Sequence, residues 1–154
     1  MLIKLIRNQS SGSAITGRLV IDGRWFCNTL ERKGYEILAL CYRVQVTMSP
    51  KFKRLLPLVT GVPRTPQSGY GTATPMGRAD SAIGYRQGIR IHRGCKPEHS
   101  TGCILVPAEK EKELTDLILK AQNTHEEIIL EVSDFKPGTE YGYNHPCPPE
   151  LQNN

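Results

Sequence analysis

The sequence lacks the segments that would carry the protein into or across a membrane. It contains no apolar run of about 18 residues, the length that a membrane-spanning helix needs. Its N-terminal segment has neither the long apolar stretch nor the small-residue cleavage site of a secretory signal. We therefore expect a chain without a membrane span that is cytoplasmic as made. It would leave the cytoplasm only by a route that needs no signal segment.

Features of nucleic-acid-binding proteins are also scarce. Aromatic residues make up only 6% of the chain, although base stacking depends on them. The formal net charge is +5, but the Lys and Arg residues are scattered, and no helix-turn-helix or RNA-binding signature is present. Nucleic acid is therefore not an expected partner, whereas moderate basicity suits an anionic polymer such as cell-wall material.

The cysteines do not suggest a disulfide framework. There are 5 of them, an odd number without repeated spacing, so at least one thiol is free in any pairing. A chain of 154 residues is also long enough to bury a core without disulfides or a structural metal. We expect no cofactor, no bound metal and a free thiol that is available for chemistry.

Alternating apolar and polar residues, the pattern of half-buried strands, dominate the sequence. Asp22-Gly23 is a hairpin signal between two such runs. Strands are predicted over 2–7, 14–21, 24–30, 40–48, 88–92, 103–106 and 126–132. A single helix is predicted from Pro107, and its apolar face comprises Leu114, Leu117, Ile118 and Ala121. The prediction is a mainly β fold, a β-sandwich or small mixed sheet with one packed α-helix.

The chain divides into one predicted domain and a tail. Residues 1–135 form the domain, and residues 136–154, rich in Pro, Gly and Asn, are expected to be loosely ordered. Within the domain, the segment 49–79 contains five prolines and is predicted to be irregular. Loops of this length are usually functional or wrap over a site.

The chemistry-bearing segment is 88–106, in which two short apolar strands enclose a polar loop. The first strand ends at His92 and the second begins at Cys103. A free thiol has a pKa of about 8.5, and a neighbouring imidazole can take its proton and hold the thiolate. The thiolate then attacks a carbonyl to form a thioester. Gly102 permits a tight turn before the nucleophile, and the amides of Gly102 and Cys103 are candidate donors to the oxyanion.

The same segment resembles a known family of enzymes. Ser100-Thr101-Gly102-Cys103-Ile104 resembles the Ser/Thr-His-Gly-Cys-apolar signature of the YkuD-type L,D-transpeptidases. Their catalytic histidine ends an upstream apolar strand and is commonly followed by glycine, as in Ile91-His92-Arg93-Gly94. Residues 15–106 are also similar to a family of small bacterial and phage-borne proteins. That likeness includes Cys27-Asn28-Thr29-Leu30-Glu31, Tyr42-Arg43-Val44, Ser49-Pro50-Lys51-Phe52, Leu56-Pro57 and Ile89-Arg90-Ile91-His92.

The resemblance implies a role for each motif residue. Cys103 would be the acyl-accepting nucleophile, His92 its base, and Ser100 a residue that fixes the loop or orients the histidine. The implied substrate is a peptidoglycan stem peptide, and the reaction is transpeptidation or carboxypeptidation. A delivered antibacterial effector with an immunity protein as partner, or a phage-associated wall enzyme, would fit this activity. The candidate pocket residues are Gly94, His99, Thr101, Tyr42 and Arg43.

Two alternatives follow from the same residues. The chain departs from the transpeptidase pattern in the short interval of 11 positions from His92 to Cys103, in Thr101 where a second His is usual, and in Leu105 where Arg or Asn is preferred. These departures favour a non-catalytic cell-wall-binding or virion-associated module. The third hypothesis is a zinc-stabilised interaction domain, because Cys and His at short spacing can bind zinc. Its candidate ligands are His92, Cys95, His99 and Cys103.

Overall fold

The computed structural model describes residues 1–63 and 85–134, and it confirms the mainly β fold with one helix. The predicted tail 136–154 lies outside the described residues. The strands are β1 (Leu2–Ser11), β2 (Ala14–Ile21), β3 (Arg24–Arg32), β4 (Cys41–Met48), β5 (Leu55–Thr60), β6 (Val62–Pro63), β7 (Tyr85–Arg86), β8 (Ile91–Arg93), β9 (Ile104–Val106) and β10 (Ile129–Asp134). The helix α1 spans Ala108–Asn123. No helix of the described part is long and apolar enough to cross a membrane.

Eight of the strands form one large mixed sheet in the order β5-β4-β10-β1-β2-β3-β9-β8. The pairs β1–β10 and β8–β9 are parallel, and the other pairs are antiparallel. The two ends of the sheet meet, because Leu58 of β5 forms a bridge with Arg90. The Val59 amide also donates to the Ile89 carbonyl at 2.8 Å. The sheet therefore closes on itself, and the segment before β8 lies at the seam.

The hairpin is confirmed, and the helix is confirmed with two small differences, at its first residue and at Leu117. Asp22 and Gly23 both have positive φ, 47° and 85°, which is the backbone of a two-residue hairpin turn. Pro107 is the N-cap residue of the helix, which begins one residue later, at Ala108. Three of the four predicted apolar positions are buried against the sheet, whereas Leu117 is 38% exposed.

The prediction that 49–79 is irregular was wrong for its first part, where β5 forms despite Pro57. Proline is tolerated here because of the hydrogen-bonding pattern of β4. Pro57 lies opposite Val46, whose amide and carbonyl point away from β5 and bond to the side-chain amide of Gln122. The residue opposite Val46 therefore needs no amide donor directed at β4. Proline lacks only this donor, so it is tolerated at this position.

A buried ion pair joins β1 to β3. Arg7 donates to both carboxylate oxygens of Glu31, at 2.9 and 2.8 Å, and Arg7 and Glu31 are only 5% and 1% exposed. Arg7 also donates to the Ile37 carbonyl at 2.7 Å and to the partly exposed Asp134 at 3.0 Å. The guanidinium is thereby well satisfied, as a buried charge must be.

We expect Glu31→Ala to destabilise the fold by about 3 to 5 kcal/mol, because it leaves the Arg7 charge buried without its main partner. Equilibrium urea denaturation measures the loss. Asp116→Ala is the control, since it breaks the exposed Lys112–Asp116 pair and should change stability little. Equal losses in the two variants would contradict the importance given to the buried pair.

Candidate active site

Of the two predicted catalytic residues, His92 lies on β8 at the seam, and Cys103 directly precedes β9, the parallel strand beside it. Ile91 of β8 pairs with Ile104 of β9. Cys103 directly precedes Ile104 and therefore lies beside Arg90. His92 is two residues further along β8 than Arg90. For a strand spacing of ~4.8 Å and a rise of ~3.3 Å per residue, the Cα atoms of Cys103 and His92 are about 8 Å apart.

The Cys103 thiol is bonded to the backbone of the adjacent strand. Its Sγ accepts from the Arg90 amide at 3.4 Å and donates to the Gly88 carbonyl at 3.7 Å. Among the described residues it makes no hydrogen bond to His92. Cys103 is partly buried and is a free thiol, as are the buried Cys27 and the exposed Cys95.

Ser100 fixes the loop before Cys103. Its hydroxyl donates to the Cys103 carbonyl at 2.6 Å and accepts from the Gly102 amide at 3.0 Å, and the side chain is 1% exposed. Of the two roles considered for Ser100, these contacts support loop fixing, since none of them reaches His92. The Gly102 amide already donates to the Ser100 hydroxyl, so it can donate to an oxyanion only if this hydrogen bond breaks.

Gly102 lies in a position that only glycine fits. Its φ is +133°, and a Cβ there would lie 2.0 Å from Arg86 Nη2 and 2.9 Å from Ile89 Cδ1. The same Arg86 nitrogen donates to the Thr101 carbonyl at 2.7 Å. The glycine therefore lets a buried guanidinium approach the loop that presents Cys103.

His92 is held in one tautomer and lies beneath the loop that carries Phe52. Its Nδ1 lies 2.9 Å from the Arg93 carbonyl, and because a carbonyl only accepts, Nδ1 must carry the proton. In the neutral ring, Nε2 is then the nitrogen that can accept a proton. The Phe52 ring lies 4.6 Å from the imidazole, centre to centre, and His92 is only 4% exposed.

Burial moves the pKa values of the two groups in opposite directions. It lowers the pKa of the His92 imidazole, an effect opposed by the Arg93 carbonyl and Glu111. It raises the pKa of the Cys103 thiol, an effect opposed by the Arg90 amide and by nearby cations. In the resting protein the imidazole is therefore a neutral base, and the thiol keeps its proton more firmly than an exposed cysteine.

The cations around the thiol were not assigned a role from the sequence. Lys51, Arg86 and Arg90 each lower the pKa of the Cys103 thiol. Lys51 also lowers the pKa of His92, and its Nζ lies 5.3 Å from the centre of the Phe52 ring. Lys51 and Arg90 belong to segments that resemble the family of small bacterial and phage-borne proteins. This resemblance was the sequence signal that could have identified them.

Next to His92, the segment 49–54 is tied to the helix by Glu111. Arg54 donates to both oxygens of the Glu111 carboxylate at 2.8 Å, and the Arg93 amide donates to it at 2.7 Å. Burial raises the pKa of Glu111, but these bonds outweigh it and hold the value below the usual one. A carboxylate thus lies near the imidazole, whereas the thiol is surrounded by cations.

The remaining candidate pocket residues are dispersed. Gly94 packs against Leu105, and the exposed His99 accepts from the Cys95 amide at 3.2 Å. Thr101 is exposed and contributes its carbonyl to Arg86.

The two β4 residues named as pocket candidates lie elsewhere. Tyr42 is buried in the core with its hydroxyl on the Leu38 carbonyl, and burial raises the pKa of that phenol well above its usual value. Arg43 pairs with Glu127 and lines a groove of about 340 Å³ with Gln45 and Gln122. None of these contacts involves Cys103 or His92, so neither residue is part of the thiol's immediate surroundings.

The four candidate zinc ligands do not converge. Among the described residues, no three His, Cys, Asp or Glu side chains are grouped so that they could hold a metal ion. His92 is buried under Phe52, while Cys95 and His99 lie exposed in the loop. The geometry therefore offers no support for the zinc hypothesis.

Comparison with protein-family models, with curated proteins and with solved structures gave no match to this chain. The geometry and the residue pattern therefore carry the functional argument.

We expect Gly102→Ala to destabilise the protein by about 1 to 3 kcal/mol, since it adds backbone strain and pushes against Arg86. Urea denaturation and the rate of Cys103 alkylation would be measured together, and both should change. Gly34→Ala is the matched control, because Gly34 also has a positive φ, +92°, but has open space around it. A Cys103 alkylation rate that is unchanged in Gly102→Ala would show that the approach of Arg86 to this loop does not affect the thiol.

Proposed function

We propose that the protein is a cysteine acyl-transfer enzyme that acts on peptidoglycan stem peptides. The observation that carries the proposal is the placement of a partly exposed thiol, directly before β9, and a neutral imidazole on the adjacent parallel strand β8. The tautomer of that imidazole leaves Nε2 to receive a proton. A nucleophile, a base and an ordered loop before the nucleophile are the parts that covalent acyl transfer needs.

The reaction proceeds in two balanced steps. His92 Nε2 takes the thiol proton, the Cys103 sulfur bonds to the peptide carbonyl carbon, and the C–N bond breaks. The leaving amine takes the proton from His92, and a thioester remains. An acceptor amine or water then attacks the thioester carbon while His92 takes its proton, the C–S bond breaks, and His92 returns the proton to the sulfur, which restores the thiol.

Proton transfer from Cys103 to His92 requires the thiol to change its position. In the resting state Sγ bonds to the Gly88 carbonyl, and the Cα atoms of Cys103 and His92 are about 8 Å apart by strand geometry. The proposed proton transfer therefore needs the Cys103 side chain to leave the Gly88 carbonyl and approach the imidazole. Catalytic hydrogen bonds often tighten only when substrate is bound, and this geometry fits that behaviour.

The charge around the thiol suits the proposed substrate. Stem peptides carry free carboxylates, and Lys51, Arg86 and Arg90 supply positive charge beside Cys103. The resemblance of the segment 100–104 to the L,D-transpeptidase signature points to the same substrate class. Delivery to the cell wall, as an effector paired with an immunity protein or as a phage-associated enzyme, belongs to this proposal.

One observation favours a second candidate function, a non-catalytic cell-wall-binding or virion-associated module. The thiol is bonded to backbone, its pKa is raised, and it has no hydrogen bond to His92 among the described residues. Such a module would bind peptidoglycan sacculi and leave the muropeptides unchanged. Replacing Cys103 would then leave binding unaltered.

We expect Cys103→Ala to abolish turnover without unfolding the protein, because it removes only the nucleophile. Purified protein would be incubated with sacculi, and the muropeptides would be analysed by mass spectrometry. His92→Gln should lower the rate by about 10²- to 10⁴-fold, the usual contribution of a positioned base. Cys95→Ala, at an exposed thiol in the same loop, should retain activity. An active Cys103→Ala variant would exclude the proposed mechanism.

We expect Lys51→Gln to reduce the preference of the site for anionic reactants. Rates of Cys103 modification by iodoacetate and by neutral iodoacetamide would be compared, with mapping of the modified peptide. The ratio of the iodoacetate rate to the iodoacetamide rate should fall about threefold, because one solvent-screened charge contributes about 1 kcal/mol or less. Lys53→Gln is the control in the same loop. If the two variants give the same ratio, Lys51 does not select the charge of the substrate.

A further inference from the structure

Glu111 joins the helix, the segment 49–54 and β8 beside His92. It lies on α1 and is only 6% exposed. Its Oε2 accepts from the Arg93 amide at 2.7 Å and from Arg54 Nη2 at 2.8 Å, and its Oε1 accepts from Arg54 Nε at 2.8 Å. These bonds hold the pKa of the carboxyl below its usual value, so Glu111 is ionised at neutral pH.

The first connection from Glu111 to the imidazole runs through the backbone of Arg93. The Gly94 amide donates to the Val106 carbonyl of β9, and backbone groups of successive strand residues point to opposite sides. The amide and carbonyl of Arg93 therefore face away from β9. Glu111 accepts from that amide, and His92 Nδ1 donates to that carbonyl at 2.9 Å. A shift of Arg93 would thus move the group that fixes the proton on Nδ1.

The second connection runs through the loop that covers the imidazole. The Phe52 ring lies 4.6 Å from the His92 ring, centre to centre. The Ser49 hydroxyl accepts from the Phe52 amide at 3.1 Å and so orders the turn that carries this ring. Arg54, two residues after Phe52, makes the bidentate bond to Glu111. The position of Phe52 over the imidazole is therefore tied to the same carboxylate.

We propose that Glu111 is a positioning residue for His92. It holds the Arg93 peptide, whose carbonyl keeps the proton on Nδ1, and through Arg54 it holds Phe52 over the ring. The inference rests on the proposed function in one respect, since the orientation of His92 matters to turnover only if the imidazole is the base. Glu111 makes no hydrogen bond to His92 in the described part of the chain, so it acts through these neighbours.

The two connections keep the basic nitrogen in one place. With the proton fixed on Nδ1, only Nε2 of the neutral His92 ring can accept the Cys103 proton. The Nδ1 hydrogen bond and the contact with Phe52 both oppose a turn of the ring about its Cβ–Cγ bond, which would move Nε2. A base that is held in this way needs no reorganisation before it takes a proton.

The competing explanation is that Glu111 only attaches the helix to the sheet. A buried carboxylate with three good hydrogen bonds stabilises the packing of α1 whatever His92 does. A purely structural role predicts a loss of stability when Glu111 is replaced. It predicts no change in the tautomer of His92 in the folded protein.

The test determines the His92 tautomer in the full chain by long-range ¹H–¹⁵N NMR at about pH 8, where an imidazole is neutral. The spectrum of His92→Gln provides the assignment. Glu111→Gln should shift the two ring ¹⁵N resonances toward each other, which indicates a mixture of tautomers, because the charge that holds the Arg93 peptide is lost. Glu113→Gln is the matched control on the same helix. Its carboxylate is half exposed and pairs with Lys110, so the tautomer should not change.

A second measurement reports the covering loop. The rate at which diethyl pyrocarbonate modifies His92 depends on access to Nε2, and peptide mass spectrometry identifies the modified residue. Arg54→Gln should raise this rate about tenfold, because it removes the charge-assisted pair that fixes Phe52. The tautomer should stay as in the wild type, since Glu111 still accepts from the Arg93 amide. An unchanged rate would contradict the part of the proposal that concerns Phe52.

The outcomes separate the explanations. A mixed tautomer in Glu111→Gln with the wild-type tautomer in Glu113→Gln supports the proposal, whereas the wild-type tautomer in Glu111→Gln overturns it. If Glu111→Gln does not fold, Arg54→Gln decides, since a faster modification of His92 upholds the proposal and an unchanged rate overturns it. Neither measurement needs muropeptide turnover. A mixed tautomer in Glu111→Gln, in a protein whose wild type leaves muropeptides unchanged, would uphold the role of Glu111 while the proposed function fails.

Discussion

The contact that closes the sheet is the constraint on which the rest of the structure depends. The bridge between Leu58 and Arg90 joins the two outermost strands, which would otherwise leave unpaired edges. The Arg90 guanidinium strengthens the same junction by binding the carbonyls of Thr47 and Leu56. Closure and the candidate site therefore share one segment of chain.

This sharing explains how the reactive groups are held. A strand fixed on both sides cannot shift its register, so His92 and Cys103 keep their offset on β8 and β9. The Arg90 amide and the Gly88 carbonyl, which belong to the seam, are the groups that bond Sγ. The position of the thiol is thus a consequence of the way the sheet closes, and a loop alone would not provide it.

Local patterns predicted much of the fold and singled out the segment that carries the candidate site. The hairpin at Asp22-Gly23 and the helix after Pro107 depend on neighbouring residues, so the sequence contains what is needed to find them. Strand β5 was missed because the tolerance of Pro57 depends on Gln122, a residue that is distant in sequence.

The missed interactions have the same cause. The Arg7–Glu31 pair spans 24 positions, and the surroundings of Cys103 combine residues from three separate segments. The motif at 100–104 singled out Cys103 as a candidate, and the strand-end position singled out His92. Neither pattern encodes which charges lie beside them, because that depends on the closure of the sheet.

Those charges decide whether proton transfer from Cys103 to His92 is feasible in the proposed mechanism. Burial disfavours the transfer, because it raises the pKa of the thiol and lowers that of the imidazole. The surrounding charges oppose burial at both ends, since Arg90 favours the thiolate and Glu111 favours the imidazolium. Arg54 neutralises part of the Glu111 charge and so limits its effect on His92. Groups other than the two that exchange the proton therefore influence this step: the cations Lys51, Arg86 and Arg90 act on Cys103, and Glu111 acts on His92.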